Sequence, residues 1–173
     1  MNRQSELPAS AQRVADLLRN RQHAHPVVIL PASGRTSAEA AAALGCSVAE
    51  IAKSIVFRCL DDDSAVLVIT SGANRVDENK VAALVGALGK ADAAFVRAHT
   101  GYAIGGVCPI GHLTKTTILI DQDLFRFAAV WAAAGHPHAV FKLTPQELLA
   151  MTGGRTAEVA AHPPIAAASI AGG

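Results

Sequence analysis

Two β-rich runs, Ser54-Ile55-Val56-Phe57-Arg58-Cys59-Leu60 and Ala65-Val66-Leu67-Val68-Ile69-Thr70, are joined by Asp61-Asp62-Asp63-Ser64. β-branched and aromatic side chains suit a pleated, buried surface, and a short polar run between two such stretches turns the chain back on itself. This part of the sequence therefore predicts an antiparallel hairpin with a solvated acidic turn. A hairpin alone is marginal in water, so the flanking segments must cover it with helices and add strands to its edges.

Upstream, Val14, Leu17, Leu18 and Arg21 fall at helical spacing, and residues 10–21 predict an amphipathic helix packed on the sheet. Val27-Val28-Ile29-Leu30, stopped by Pro31, reads as a short buried strand, and Ser33-Gly34-Arg35 as a turn. Thr36-Ser37-Ala38-Glu39 is a capping box for an Ala-rich helix ending at Gly45. A second box, Ser47-Val48-Ala49-Glu50, opens a helix of little more than one turn that delivers Lys53 to the start of the hairpin.

Downstream, Ser71-Gly72-Ala73-Asn74 breaks the second strand, and Asp77 caps a helix whose Val81, Leu84, Val85 and Leu88 share one face as far as Gly89. Residues 93–96 and 116–121 read as strands. Leu124 to Ala134 could be helix by alanine content, yet Val130-Trp131, Gly135-His136-Pro137-His138 and Ala139-Val140-Phe141 read better as a short helix followed by a hairpin. Thr144-Pro145-Gln146-Glu147 is a third capping box, with proline at the first helical position, and it starts a helix that buries Leu148, Leu149 and Met151 before Gly153-Gly154.

With 173 residues, 51% of them hydrophobic, the chain suits one α/β domain over residues 1–160, and the Ala/Pro/Gly segment 161–173 is expected to be a mobile tail. A formal net charge of +1 supplies no global basic field, so a nucleic-acid partner would need a local patch. The three cysteines show no CxxC spacing and the opening Met1-Asn2-Arg3-Gln4-Ser5-Glu6 is polar, from which a reducing, cytoplasmic setting is expected. No run approaches the roughly 18 apolar residues of a membrane span.

Gly105-Gly106-Val107-Cys108-Pro109-Ile110-Gly111-His112 concentrates backbone-shaping residues. Such a loop makes the backbone itself the working surface, with N–H groups placed to meet an anion or a carbonyl oxygen. It also suits a tight connection between two strands. Lys53, three residues after Glu50, suits a surface ion pair, yet the strand that follows it lets the stem pack while the ammonium reaches a phosphate or oxyanion. Cys108 with His112 suggests a nucleophile and its base, and equally a small apolar filler. The pairs His23/His25 and His136/His138 have metal-site spacing but no Asp, Glu or Cys cluster beside them in sequence, so no metal or cofactor is expected. The P-loop, the dinucleotide fingerprint and the serine elbow are all missing from the sequence.

Taken in order, Thr36-Ser37-Ala38-Glu39-Ala40-Ala41, Ile51-Ala52-Lys53-Ser54-Ile55-Val56-Phe57, Ser71-Gly72 with Arg75-Val76-Asp77, Gly105 to Gly111, and Ala134-Gly135 resemble the YbaK/EbsC family of aminoacyl-tRNA deacylases, relatives of the editing domain inserted in bacterial prolyl-tRNA synthetases. The resemblance runs from about Pro31 to Ala160. It implies a compact mixed α/β (α+β) domain with a curved, mostly antiparallel sheet or barrel flanked by helices, hydrolysing the ester of mischarged tRNA without a metal. Lys53 matches the family's essential lysine, and Gly105 to Pro109 match its G-x-x-x-P loop. The substrate-binding residues so implied are Thr36, Ser54, Ser71, Gly72, Gly105, Gly106, Val107, Cys108, Pro109, Gly111 and Gly135. His136 and Cys108 depart from the family pattern in ways that would alter which aminoacyl group fits.

The implied partner is the 3′ acceptor end of an aminoacyl-tRNA, delivered with help from a synthetase or elongation factor. The favoured substrate is tRNA(Pro) carrying alanine, cysteine or another small residue. Arg35, Arg75, Lys80, Arg97 and Lys115 are the nearest cations for wider tRNA contact. Two other readings stand beside this one: a non-catalytic module binding a nucleotide or amino acid, and a hydrolase or redox protein using Cys108.

Overall fold

The computed structural model describes residues 7–31 and 36–161. Helix α1 (Ala9–Asn20) is followed by strand β1 (Val27–Ile29) and helix α2 (Ser37–Leu44). The predicted hairpin is present as β2 (Ile51–Cys59) and β3 (Ala65–Ser71), paired antiparallel from Ala52 opposite Ser71 to Arg58 opposite Ala65. Next come β4 (Arg75–Val76), α3 (Glu78–Val85), β5 (Leu88–Lys90), α4 (Ala93–Thr100) and β6 (Thr116–Asp121). β7 (Val130–Ala133), β8 (Ala139–Leu143), α5 (Pro145–Thr152), β9 (Arg155–Ala157) and β10 (Ala160–Ala161) complete the described chain.

The main sheet runs β1-β8-β7-β2-β3-β6-β9, with β5 also on β2, and β4 pairs β10 separately. Antiparallel pairings outnumber parallel ones five to three, the parallel ones being β2·β7, β3·β6 and β6·β9. Among the described residues the sheet is open, with β1 and β9 at its ends, so the sheet alternative holds rather than the barrel.

The continuous apolar run of β3 has a physical reason, because helices cover both faces of the sheet. Leu67 and Ile69 join the cluster that includes Val14 and Leu18 of α1, Val96 of α4 and Leu148 of α5. Val66 and Val68 face the opposite way, onto Val81 of α3. A third cluster, Leu30, Ala40, Ala41, Ile51 and Val140, seats α2.

Several expectations need correction. Residues 93–96 form helix rather than strand: the Asp92 carboxylate accepts the Phe95 N–H (2.8 Å), Val96 and Thr100 are buried one turn apart, and Gly101 closes the helix in the left-handed region. Leu88 lies outside α3, which stops at Gly86 (φ +98), and Leu88-Gly89-Lys90 instead pairs with β2. Leu84, expected on the buried face, is largely exposed. β1 is an edge strand with Ile29 exposed, since only β8 pairs with it. β2 starts at Ile51, so Lys53 lies within the strand instead of ahead of it. Ala161 pairs with Arg75 and belongs to the fold; the rest of the expected tail, 162–173, and the turn at Ser33-Gly34-Arg35 lie outside the described residues.

Asp121 fastens the ends of β3 and β6 together. Its buried carboxylate accepts from Thr70 Oγ1 (3.0 Å), Ser71 N–H (3.0 Å), Asn74 Nδ2 (2.9 Å) and Asp123 N–H (3.0 Å). These donors offset the cost of burying a charge. Asp121→Ala strands all of them, and thermal unfolding is expected to show a loss of about 3 kcal/mol, roughly 6–12 °C in Tm.

Candidate active site

Alternation along β2 decides where Lys53 points. Ile51 joins the cluster under α2 and Phe57 packs against the cluster under α3. Lys53 and Ile55 lie between them on that same face, while Ala52 and Val56 face the α1 side. The Lys53 side chain forms no hydrogen bond or ion pair with another described residue. Glu50, its supposed surface partner, instead accepts from the N–H (3.0 Å) and hydroxyl (2.9 Å) of Ser47, which holds its pKa below the usual carboxylate range. The short 3-10 turn Val48–Glu50 is thus fixed by its own cap, and Lys53 is left for the cavity beside it.

That cavity measures about 560 Å³. Lys53, Thr36, Ser54, Gly72 and Gly105 all line it, joined by Leu30, Ile104, Trp131 and Pro137. Thr36 caps α2, its Oγ1 accepting from Glu39 N–H at 3.1 Å, and so fixes one wall. Gly72 is required where it stands, because a Cβ there would come within 2.5 Å of the Val48 carbonyl. A smaller cavity of about 210 Å³ adjoins, bounded by Val56, Ala91, Val96 and Val107 and sharing Ser54, Ile55, Ile104 and Gly105 with the first. A further cavity of about 620 Å³, between α1 and β1, holds His23 and His25 and none of the expected site residues.

The Gly-rich loop divides in two. Gly105 (φ +89) is exposed at the junction of the two cavities. Gly106 is pressed onto the His136 backbone and donates its N–H to the Ala103 carbonyl (3.0 Å). Val107, Cys108, Pro109 and Ile110 go into the core, and Gly111 (φ +81) lies under Leu17, with its carbonyl held by Arg13. Ser71 is spent on the Ala49 carbonyl (2.7 Å), and Gly135 (φ +90) packs on the Ser10 carbonyl of α1. Ser71, Gly106, Cys108, Pro109, Gly111 and Gly135 therefore line neither cavity and hold the walls from behind.

Cys108 is fully buried, and that burial pushes its thiol up to about 12, so it stays protonated at neutral pH. His112 is no base for it: its Nε2 bonds the Cys108 carbonyl (2.7 Å), and burial holds the imidazole below its ordinary range. The thiol-enzyme reading fails on both counts. Iodoacetamide at neutral pH is accordingly expected to leave Cys108 unlabelled in the folded protein and the activity intact, as peptide mass mapping and a parallel assay would show.

His136 does not line the site, since its ring Nδ1 accepts the His138 N–H (3.1 Å) and the adjacent Pro137 takes the place at the rim. Of the cations, Lys80 pairs with Glu158 (2.8 Å), and Arg75, Arg97 and Lys115 line neither cavity. Arg35 lies outside the described residues. Sequence reasoning missed Leu30, Ile104, Trp131 and Pro137, which tertiary packing alone brings together.

Known proteins resemble this chain in sequence and in fold. The model of the aminoacyl-tRNA editing domain family matches residues 31–151. Uncharacterized protein YwhH of Bacillus subtilis (strain 168) is 34% identical over 117 residues, 67% of this chain and 74% of that protein. Among solved structures, a proposed trans-editing enzyme for prolyl tRNA synthetase is 45% identical with a TM-score of 0.85, covering 91% of this chain and 100% of its own. Hypothetical protein APE2540 is 29% identical with a TM-score of 0.76, over 86% of this chain and 99% of its own.

Proposed function

The chain belongs to the aminoacyl-tRNA editing domain family, and from that premise we propose that it is a cytoplasmic trans-editing deacylase, hydrolysing tRNA(Pro) that carries a small wrong amino acid such as alanine or cysteine. The observation that carries this reading is the meeting of Lys53, Thr36, Ser54, Gly72 and Gly105 around one cavity. The structural relative at 45% identity, a proposed trans-editing enzyme for prolyl tRNA synthetase, supports the choice of tRNA.

So sparse a site suits the reaction. An aminoacyl ester is already activated, and the neighbouring ribose hydroxyl can relay a proton from the attacking water to the departing ribose oxygen. Water adds to the carbonyl carbon, the ester C–O bond breaks, and free amino acid and a terminal ribose hydroxyl result. The protein has to position the ester and stabilise its oxyanion. Within the loop, Gly106 has committed its N–H, Pro109 has none, and Val107 and Cys108 are buried, whereas Gly105 is exposed and borders both cavities, so Gly105 is the donor we assign to the carbonyl. Lys53 binds the terminal phosphate or fixes the terminal nucleotide. Among the described residues Lys53 is the one cation that lines the cavity, and a synthetase or elongation factor would supply the wider tRNA contact.

The test is a deacylation panel: the protein against tRNA(Pro) charged separately with Pro, Ala, Cys, Ser and 2-aminobutyrate. Hydrolysis of the small esters with Pro spared is expected. Binding without hydrolysis of any of them would favour the non-catalytic module.

A further inference from the structure

β2 is paired along its whole middle by β3, but its other edge is met only at its ends. β7 joins it at Ile51 and Ala52, and β5 at Phe57, Arg58 and Cys59. Among the described residues, 53–56 have no strand partner on that edge. In an antiparallel pair, successive residues turn their N–H and C=O groups to opposite sides. Gly72 donates to the Ile51 carbonyl (2.7 Å) and Cys59 to the Ser64 carbonyl (2.8 Å), so the odd-numbered residues serve β3. Leu60 donates to the Ala87 carbonyl of the segment leading into β5 (2.9 Å), so the even-numbered ones serve the other edge. Ser54 therefore turns its backbone N–H and C=O into the unpaired stretch. Its Oγ is also buried without a hydrogen-bond partner. Folded chains leave few such groups unmatched.

The space opposite is hollow. Ser54 and Gly105 border both cavities, so the place where a neighbouring strand would run is the junction of the two. An aminoacyl ester carries the donor and acceptor of one extended residue: an α-ammonium and a carbonyl. It can add to a strand edge as a single residue.

We propose that Ser54 clamps the aminoacyl group as a one-residue strand edge, its C=O and Oγ accepting from the α-ammonium and its N–H donating to the ester carbonyl across from Gly105. This deepens the deacylase reading and rests on it. Alternation then divides the substrate between the two faces of β2. The amino-acid side chain enters the small apolar cavity beside Val56, Val96 and Val107, and the terminal nucleotide lies with Lys53 in the larger one. A free α-amino group becomes part of what is recognised, so an N-acylated ester is rejected.

The experiment pairs substrate and residue changes. Wild type and Ser54→Ala are assayed on alanyl-tRNA(Pro) and on its α-hydroxy analogue lactyl-tRNA(Pro), each rate divided by spontaneous hydrolysis; wild type is also given N-acetylalanyl-tRNA(Pro). Ser54→Ala should lose about tenfold in kcat/KM on the alanyl ester, the scale of one charge-assisted hydrogen bond, and less than about twofold on the lactyl ester. Its melting temperature should not fall, since no hydrogen bond of the fold is removed, and Ser54→Thr should retain activity. N-acetylalanyl-tRNA should turn over no faster than in buffer. Equal losses on both esters, an unaffected alanyl ester, or brisk hydrolysis of the N-acetyl ester would overturn the clamp while leaving the deacylase standing. No turnover of any ester by wild type would overturn the deacylase reading itself.

Discussion

Lys53→Ala is expected to lower kcat/KM for deacylation by at least about a hundredfold, the usual loss when a charge-stabilising donor is taken from a reacting centre. The fold should not notice. The Lys53 side chain makes no hydrogen bond or ion pair with a described residue, its backbone stays in register opposite Thr70, and the residues that hold the cavity wall are bonded elsewhere. Melting temperature should therefore stay within about 2 °C, as for a surface substitution. Lys53→Arg separates the proposed phosphate contact from the oxyanion contact that the sequence also offers the ammonium. A phosphate is bound as well or better by a guanidinium, so recovery of KM would point to the terminal phosphate. A developing oxyanion needs a compact donor at one place, and a longer planar fork would leave kcat low. Full activity in Lys53→Ala, with charged tRNA as substrate, would remove Lys53 from the chemistry.

What the sequence disclosed and what it hid follow one physical division. The hairpin, the Thr144 capping box and the N-cap at Asp77 rest on short-range chemistry, and all three are in place. The helix at Ala93–Thr100 was hidden because an Ala-Ala-Phe-Val run suits strand or helix, and the Asp92 cap decides between them. Leu88 was misplaced because its helical spacing continues past Gly86, whose positive φ ends the helix. In the site, Lys53 and Gly105 were legible as residue types whose chemistry or backbone needs explaining. Trp131, Leu30 and Pro137 were not, since an apolar residue that lines a cavity looks like one that fills a core. Nor could the sequence show that the Gly-rich run gives only Gly105 and Val107 to the cavities and the rest to the core.

That division of the loop makes the second large effect a contrast between neighbouring glycines. A Cβ on Gly106 would lie 2.8 Å from the N, Cα and C atoms of His136, and backbone cannot swing aside as a side-chain tip can. Gly106→Ala must push the loop off the β7–β8 turn, at a cost of about 3 kcal/mol, or roughly 6–12 °C in Tm. Activity should fall with it, because Gly105 is carried along. Gly105 itself faces open space, its nearest neighbour being Pro137 Cγ at 3.8 Å, so Gly105→Ala meets only the strain of a side chain at φ +89. That strain is about 1–2 kcal/mol, and the protein should remain folded. Deacylation should nonetheless drop about tenfold or more, because the residue placed at the carbonyl is the one being forced out of its conformation. Thermal melts and kcat/KM measured on both variants separate the cases. Gly106→Ala as stable as wild type would show that the loop is not clamped against His136, and Gly105→Ala at full activity would take the loop backbone out of oxyanion binding.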